Sequence, residues 1–283
     1  MVLSRRQSGI QYEITALLSQ IHPVFMLPPL ATAFFGGILA PVFHWRVAVA
    51  HLGAIFFAVY TAHVKDGYID FYQRNEDDSH PLTKVGCQIA LIGAAIGFSL
   101  CLLVIWLING IISVLITFPT WLIGYLHAPQ LDMHPVGATM GYPIGVFLAL
   151  VGGYFVQAQQ LRFLPLLMGG ILLLLLSGIK IIDDSQDIRY DESIAKPTVA
   201  VIVGKHRAWQ LANLLMVLAF VLISVGVLLE ILSISSIVAV IVFGIVLLLA
   251  NRQTAEIATM LLIRGAYVFL AIILIAYWFH PLE

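Results

Sequence analysis

Nine apolar segments, each about as long as a membrane is thick, follow one another along this chain of 283 residues and constrain its fold more than any other feature. They are residues 23–41, 45–64, 86–108, 110–127, 137–157, 162–182, 208–228, 231–250 and 257–279. A helix needs about 20 apolar residues to cross the hydrocarbon core of a bilayer. Only 10% of the residues are charged, whereas soluble domains carry roughly 25%. The sequence therefore predicts an all-α, polytopic membrane protein with nine transmembrane helices.

The polar segments between these spans are short, and none is long enough for a separate soluble domain. We therefore predict a single integral membrane domain over residues 1–283. Residues 1–21 are more polar and carry spaced apolar side chains, a pattern that fits an amphipathic helix at the membrane interface.

The distribution of basic residues predicts the orientation in the membrane. If the N-terminus is cytoplasmic and the spans number nine, eleven of the 14 basic residues lie in cytoplasmic segments. Only Arg46 and Arg162 lie in outer segments. Lys and Arg are enriched in cytoplasmic loops. The sequence therefore predicts a cytoplasmic N-terminus and an outer C-terminus, with the cell membrane as the location.

Acidic residues cluster in two predicted cytoplasmic connections, about residues 63–84 and 180–207, which hold ten of the 15. Asp184, Asp187 and Asp191 are spaced i, i+3, i+7, and His63, Asp66 and Asp70 repeat that spacing. On a helix this spacing places three side chains on one face. Carboxylates suit Mg²⁺, which is typically held by one or two of them together with substrate phosphates. The two segments therefore suggest a site for Mg²⁺ and a diphosphate.

The same segments resemble the two aspartate-rich motifs of the UbiA-type intramembrane prenyltransferases. The second, DSQDIRYDESIAKPT from Asp184 to Thr198, is similar to the pattern D-x-x-D-x-x-x-D followed by a basic residue and Thr. The first, Asp66 and Asp70 leading to His80-Pro-Leu, is similar to a motif that ends in Arg-Pro-Leu. Ala62 and His63 stand where the family has Asn-Asp, and His80 stands where it has Arg. Nine spans with motifs after the second and sixth are also the layout of that family.

The resemblance implies a prenyltransferase-like domain whose helices surround a central cavity. It implies Mg²⁺-dependent transfer of a polyprenyl group from a polyprenyl diphosphate to a lipophilic acceptor in the bilayer, with no nucleic-acid partner. The implied catalytic and metal-binding residues are Asp66, Asp70, Asp184, Asp187 and Asp191. The candidate substrate-binding residues are His63, His80, Lys180, Arg189 and Lys196.

Two other functional classes stay open at this point. The altered first motif is compatible with a UbiA-like terpene cyclase or an inactive relative. A cation-handling transporter would also use acidic stripes, although transporter sites usually lie near the bilayer midplane, whereas these acids lie at span ends.

Overall fold

The computed structural model describes residues 3–5 and 9–282, and the described chain is built from helices. They are α1 (Ile10–Leu18), α2 (Pro23–Ile38), α3 (Trp45–Ile69), α4 (Lys84–Asn109), α5 (Ile111–Leu126), α6 (Pro135–Ala158), α7 (Phe163–Asp184), α8 (Ile188–Ser193), α9 (Val199–Val203), α10 (Lys205–Leu228), α11 (Ile237–Ala250) and α12 (Ala255–Phe279). A wider π-helical turn prolongs α3 through Arg74, whereas the segment His127–Leu131 after α5 is kinked at Ala128. The predicted all-α, polytopic architecture is confirmed. Of the predicted N-terminal segment, residues 1, 2 and 6–8 lie outside the described residues.

Seven helices of the described chain are long and apolar enough to cross a membrane: α3, α4, α5, α6, α7, α10 and α12. Helices α1 and α2 meet at 62° and would add an eighth span if they count as one. The segment Ile234–Ala250 is apolar but shorter than a full span. Each of the nine predicted segments is thus helical, but the count of nine spans is not confirmed. The length and apolar composition of these helices identify an integral membrane protein.

Local sequence signals mark the ends of these helices. Thr83 caps α4, because its hydroxyl accepts a hydrogen bond from the Gly86 amide at 2.9 Å. Gly110 separates α4 from α5 with a φ of 82°, a conformation that glycine adopts without strain. This break lies at the predicted boundary between the segments 86–108 and 110–127.

The described residues up to Met133, together with Leu148–Leu161, form one compact unit. Its centre is α3, which packs against α2, α4 and α5. Helix α5 approaches closely at Gly124, where an added methyl group would collide with the Ala58 carbonyl. A buried histidine strengthens the packing, since His51 Nε2 lies 3.2 Å from the Ala149 carbonyl and its Nδ1 lies 3.3 Å from Thr117 Oγ1. These contacts hold α3 in place, and α3 carries the first aspartate motif at its end.

His134–Phe147 and the described residues from Arg162 onward form a second compact unit. Here α7 packs against α9, α10 and α12, and α11 packs against α12. The turn after α7 is hydrogen-bonded to two neighbouring helices. Trp209 Nε1 on α10 donates to Ser185 Oγ at 2.9 Å, and Gln186 Nε2 donates to Thr259 Oγ1 on α12 at 3.0 Å. This turn carries the second aspartate motif.

Candidate active site

The first aspartate motif lies in the wall of a cavity of about 720 Å³. Residues of α1, the start of α2, the end of α3 and the segment 77–81 line this cavity. His63, Asp66 and Asp70 all belong to its wall, as expected for side chains on one face of a helix. The structure therefore brings the three predicted residues of the first motif to one place.

Asp70 is oriented by an arginine that the sequence analysis did not include in the site. Arg74 Nη1 lies 3.3 Å from Asp70 Oδ1 and 2.7 Å from Asp132 Oδ2. All three side chains are largely shielded from solvent. The ion pairs join the end of α3 to the turn that follows α5, and they fix where Asp70 lies in the first motif.

The two histidines that replace family residues also line this cavity. The His63 ring lies edge-on to that of His22, with their centroids 5.0 Å apart, and its Nδ1 is 3.3 Å from the Gln20 carbonyl oxygen. His80 is only 6% exposed, and its Nδ1 contacts the backbone N and O of Leu82. Its Nε2 is buried and has no hydrogen-bond partner. Both predicted substrate-binding histidines are therefore placed where a ligand of the cavity would meet them.

The second motif does not form the continuous helix on which its spacing was interpreted. Helix α7 ends at Asp184, Asp187 occupies the N-cap position of α8, and Asp191 lies within α8. A serine explains the break, because Ser185 Oγ donates to the Ile182 carbonyl at 2.7 Å and so competes with helical backbone bonding. The prediction of a single helical face is wrong for this motif. Asp184 and Asp191 are buried, whereas Asp187 is exposed.

Asp184 offers the clearest place for a cation. Its Oδ1 lies 2.7 Å from Lys180 Nζ, while its Oδ2 is buried without a hydrogen-bond partner. The neighbouring Asp183 differs, because its Oδ2 pairs with Lys180 at 2.8 Å and its Oδ1 accepts from Gln186 at 3.1 Å. Buried polar atoms are nearly always bonded. A carboxylate oxygen in this state is suited to bind a metal ion. Lys180, a predicted phosphate contact, lies beside it and is engaged by both carboxylates.

Asp191 is held by the two residues that complete the motif. Thr198 Oγ1 donates to Asp191 Oδ2 at 3.3 Å, and Lys196 Nζ lies 4.0 Å from Oδ1. Burial raises the pKa of Asp191 to about 6, although the Lys196 ammonium lowers it. The carboxylates of Asp184 and Asp187 raise the pKa further. The three aspartates of the second motif thus lie within electrostatic reach of one another. Arg189, the remaining predicted contact, is exposed.

The donor set of these motifs suits Mg²⁺. Across residues 3–5 and 9–282, no three His, Cys, Asp or Glu side chains are grouped tightly enough to hold a metal ion unaided. Mg²⁺ does not require such a cage, since it is commonly bound by one or two carboxylates plus substrate phosphates and water. The buried Asp184 carboxylate, whose Oδ2 has no hydrogen-bond partner, meets that lesser requirement. The motifs therefore fit a Mg²⁺ ion that arrives with a phosphorylated ligand.

Solved structures show which fold this is. A digeranylgeranylglyceryl phosphate synthase superposes with a TM-score of 0.73 at 17% identity, covering 94% of this chain and 97% of that one. A UbiA homologue from Aeropyrum pernix K1 gives a TM-score of 0.70 at 16% identity, covering 90% and 97%. A UbiA homologue from Archaeoglobus fulgidus bound to GPP and Mg²⁺ gives 0.65 at 16% identity, covering 92% and 99%. The chain has the UbiA fold. No protein-family model and no curated protein matches the sequence.

Within the UbiA fold, sequence reasoning found the aspartates of both motifs but missed the ion pairs of Arg74 with Asp70 and Asp132. Arg74 follows Asp70 by four residues, a helical spacing that was available as a signal for an ion pair. Asp132 gave no such signal, because only the tertiary fold brings it to Arg74. Thr198 was recognised as part of the motif, and the structure gives it two bonds, to Asp191 Oδ2 and to the Val201 amide.

Proposed function

We propose that this protein transfers a polyprenyl group from a polyprenyl diphosphate to a lipophilic acceptor within the membrane, in a reaction that requires Mg²⁺. The observation that carries the proposal is the buried, unpartnered Oδ2 of Asp184 in a motif of mutually interacting carboxylates. The A. fulgidus homologue of the same fold, bound to GPP and Mg²⁺, supports the choice of ligand and metal.

The proposed ligands of Mg²⁺ are Asp66, Asp70, Asp184, Asp187 and Asp191. When bound, Mg²⁺ neutralises charge on the diphosphate leaving group. Within this chain, Arg74 orients Asp70, while Thr198 and Lys196 orient Asp191. Lys180 holds Asp184 through its Oδ1 and leaves Oδ2 unpaired. These contacts prepare carboxylate oxygens before a cation arrives, so little reorganisation is needed when it binds.

The predicted substrate contacts remain part of the proposal. His63, His80, Lys180, Arg189 and Lys196 are proposed to contact the bound substrate through hydrogen bonds or charge. Arg189 is exposed, so its guanidinium is accessible to a phosphate. Arginine suits phosphate oxygens through two parallel N–H bonds.

A turnover assay separates this function from its alternatives. Purified protein is incubated with Mg²⁺ and radiolabelled geranylgeranyl diphosphate, with and without a membrane lipid extract, and released diphosphate is measured. We expect release that depends on the extract, because prenyl transfer needs an acceptor. Release without any acceptor would instead support a terpene cyclase. The absence of release under all conditions would contradict the proposal and favour an inactive relative or a cation-handling protein.

The proposed orientation places the first motif on the cytoplasmic side of the cell membrane. Ser79 is exposed in the segment that follows this motif, and Gln160 is exposed between α6 and α7. In a background without Cys87 and Cys101, Ser79→Cys should react with an impermeant maleimide only in inside-out vesicles. Gln160→Cys should react only in right-side-out vesicles. Labelling with the opposite polarity would contradict the orientation.

A further inference from the structure

Ser185 lies directly after Asp184 and two residues before Asp187, at the point where α7 ends. Its side chain is buried, and a hydroxyl can donate one hydrogen bond and accept others. The hydroxyl hydrogen goes to the Ile182 carbonyl at 2.7 Å, within the last turn of α7. The oxygen accepts the 2.9 Å bond from Trp209 Nε1 on α10. Ser185 therefore connects the second motif to a helix outside that motif.

Trp209 projects from a helix that is fixed beside α7. Gly178 of α7 allows a close approach, because a methyl group there would lie 2.7 Å from the Ala212 carbonyl of α10. Asn213 Nδ2 donates to the Trp209 carbonyl and to Asn251 Oδ1, both at 2.9 Å. Asn251 Nδ2 donates back to Asn213 Oδ1 at 2.8 Å. The indole nitrogen of Trp209, which can only donate, thus offers Ser185 a partner whose position is set by its own helix.

The backbone bonds of the turn itself are long. The Asp187 amide donates to the Asp184 carbonyl at 3.3 Å, and the Ser185 amide is shared between the carbonyls of Ile181 and Ile182 at 3.2 Å and 3.1 Å. Backbone hydrogen bonds are most often about 2.9–3.0 Å long. The bond from Trp209 therefore restrains the turn where its backbone bonding is weak.

The position of this turn sets how the aspartates of the second motif lie relative to one another. Asp184 ends α7 before the turn, whereas Asp187 caps α8 after it and Asp191 lies within α8. Asp184 Oδ2 is buried without a hydrogen-bond partner. Mg²⁺ requires near-octahedral geometry with ligand distances of about 2.0–2.1 Å. A small displacement of the turn therefore suffices to separate oxygens that one ion would bind together.

We infer that Trp209 is a positioning residue for the second motif. Through Ser185 Oγ, its indole N–H holds the turn so that the carboxylates on either side of it face the same Mg²⁺ ion. This role rests on the proposed function and adds to it a residue that contacts neither metal nor substrate. Groups that orient metal ligands typically change metal affinity by about 10- to 100-fold when they are removed.

A Mg²⁺ titration of donor binding tests this role. Binding of radiolabelled geranylgeranyl diphosphate is measured against Mg²⁺ concentration for the wild type and Trp209→Phe, which removes the N–H and keeps an aromatic ring. We expect the half-saturating Mg²⁺ concentration to rise about tenfold. Donor affinity at saturating Mg²⁺ should stay within about threefold, because excess metal compensates for a less ordered site. An unchanged Mg²⁺ requirement, or a loss of donor affinity that saturating Mg²⁺ does not restore, would overturn the inference.

Trp121→Phe is the matched control. It makes the same chemical change in the first unit, at an indole nitrogen that is buried without a hydrogen-bond partner. We expect its Mg²⁺ requirement to equal that of the wild type. An increase as large as that in Trp209→Phe would overturn the inference, because the effect would then not depend on the bond to Ser185.

A double-mutant cycle shows whether Trp209 acts through Ser185. Ser185→Ala should raise the Mg²⁺ requirement, and adding Trp209→Phe to it should cause no further increase, because the bond is already absent. Additive increases would overturn the assignment of the bond.

Hydrogen exchange in the protein without metal or donor tests the same bond independently of the proposed function. Amides of residues 183–187 should exchange about fivefold faster in Trp209→Phe than in the wild type, as expected for loss of one hydrogen bond. Unchanged exchange in the folded variant would overturn the inference. A wild type without Mg²⁺-dependent donor binding would contradict the proposed function, whereas exchange would still decide whether Trp209 orders the turn.

Discussion

Replacement of Asp184 by asparagine is expected to reduce Mg²⁺-dependent turnover of a prenyl diphosphate by about 100-fold or more. The substitution removes the charge from a carboxylate of the second motif whose Oδ2 is buried and has no hydrogen-bond partner. An amide at this position is a much weaker ligand for Mg²⁺ than a carboxylate. The measurement is the rate of diphosphate release by purified protein at saturating Mg²⁺ and donor.

Asp183→Asn provides the matched control for this prediction. The two aspartates are adjacent, and both contact Lys180, at 2.8 Å and 2.7 Å. Both oxygens of Asp183 already have a hydrogen-bond partner, whereas Asp184 has a buried oxygen without one. We expect Asp183→Asn to retain turnover within about threefold of the wild type, as for an exposed ion pair. Equal losses in the two variants would show that the charge near Lys180 matters and the free oxygen does not.

Replacement of Arg74 by methionine is expected to lower the free energy of unfolding by about 3 kcal/mol, the usual loss when one partner of a buried ion pair is removed. Arg74 forms ion pairs with both Asp70 and Asp132, whose side chains are 19% and 9% exposed. Without the guanidinium, the buried Asp132 carboxylate loses its 2.7 Å ion pair with Arg74. Thermal and denaturant unfolding in detergent measure the loss.

A double variant shows whether the stability loss in Arg74→Met comes from the unbalanced charge of Asp132 or from lost packing of the arginine side chain. Asp132→Asn in the Arg74→Met background removes the buried negative charge that Arg74 had balanced, and it should restore part of the lost stability. If the double variant is no more stable than Arg74→Met alone, the loss comes from packing of the arginine side chain instead. Wild-type stability in Arg74→Met would contradict a structural role for the ion pairs.

The helical fold was predictable because lipid imposes strong rules on sequence. Each span must be about 20 residues long and apolar, and every predicted segment is indeed helical. The number of spans was harder to predict from the sequence. Helix α2 has only 16 residues with Pro28 and Pro29 inside, and it meets α1 at 62°. Hydropathy alone does not report such a bend, nor the short helical segment at Ile234–Ala250.

The candidate site was predictable to the extent that its geometry is local. His63, Asp66 and Asp70 lie at the end of α3, so helical spacing placed them together in one cavity. The same rule failed after Asp184, because the side chain of Ser185 bonds to the helix backbone and to Trp209. Contacts between distant residues, such as Arg74 with Asp132, have no signature in a single sequence.

Equilibrium binding of radiolabelled geranylgeranyl diphosphate tests the central claim most directly, since it requires no knowledge of the acceptor. Purified wild-type protein and Asp184→Asn are each titrated with the diphosphate in excess Mg²⁺ and again after chelation with EDTA. We predict tight binding by the wild type in Mg²⁺, with a loss of about tenfold or more on chelation or in Asp184→Asn. Wild-type binding that is unchanged by EDTA and by the substitution would contradict a Mg²⁺–diphosphate site.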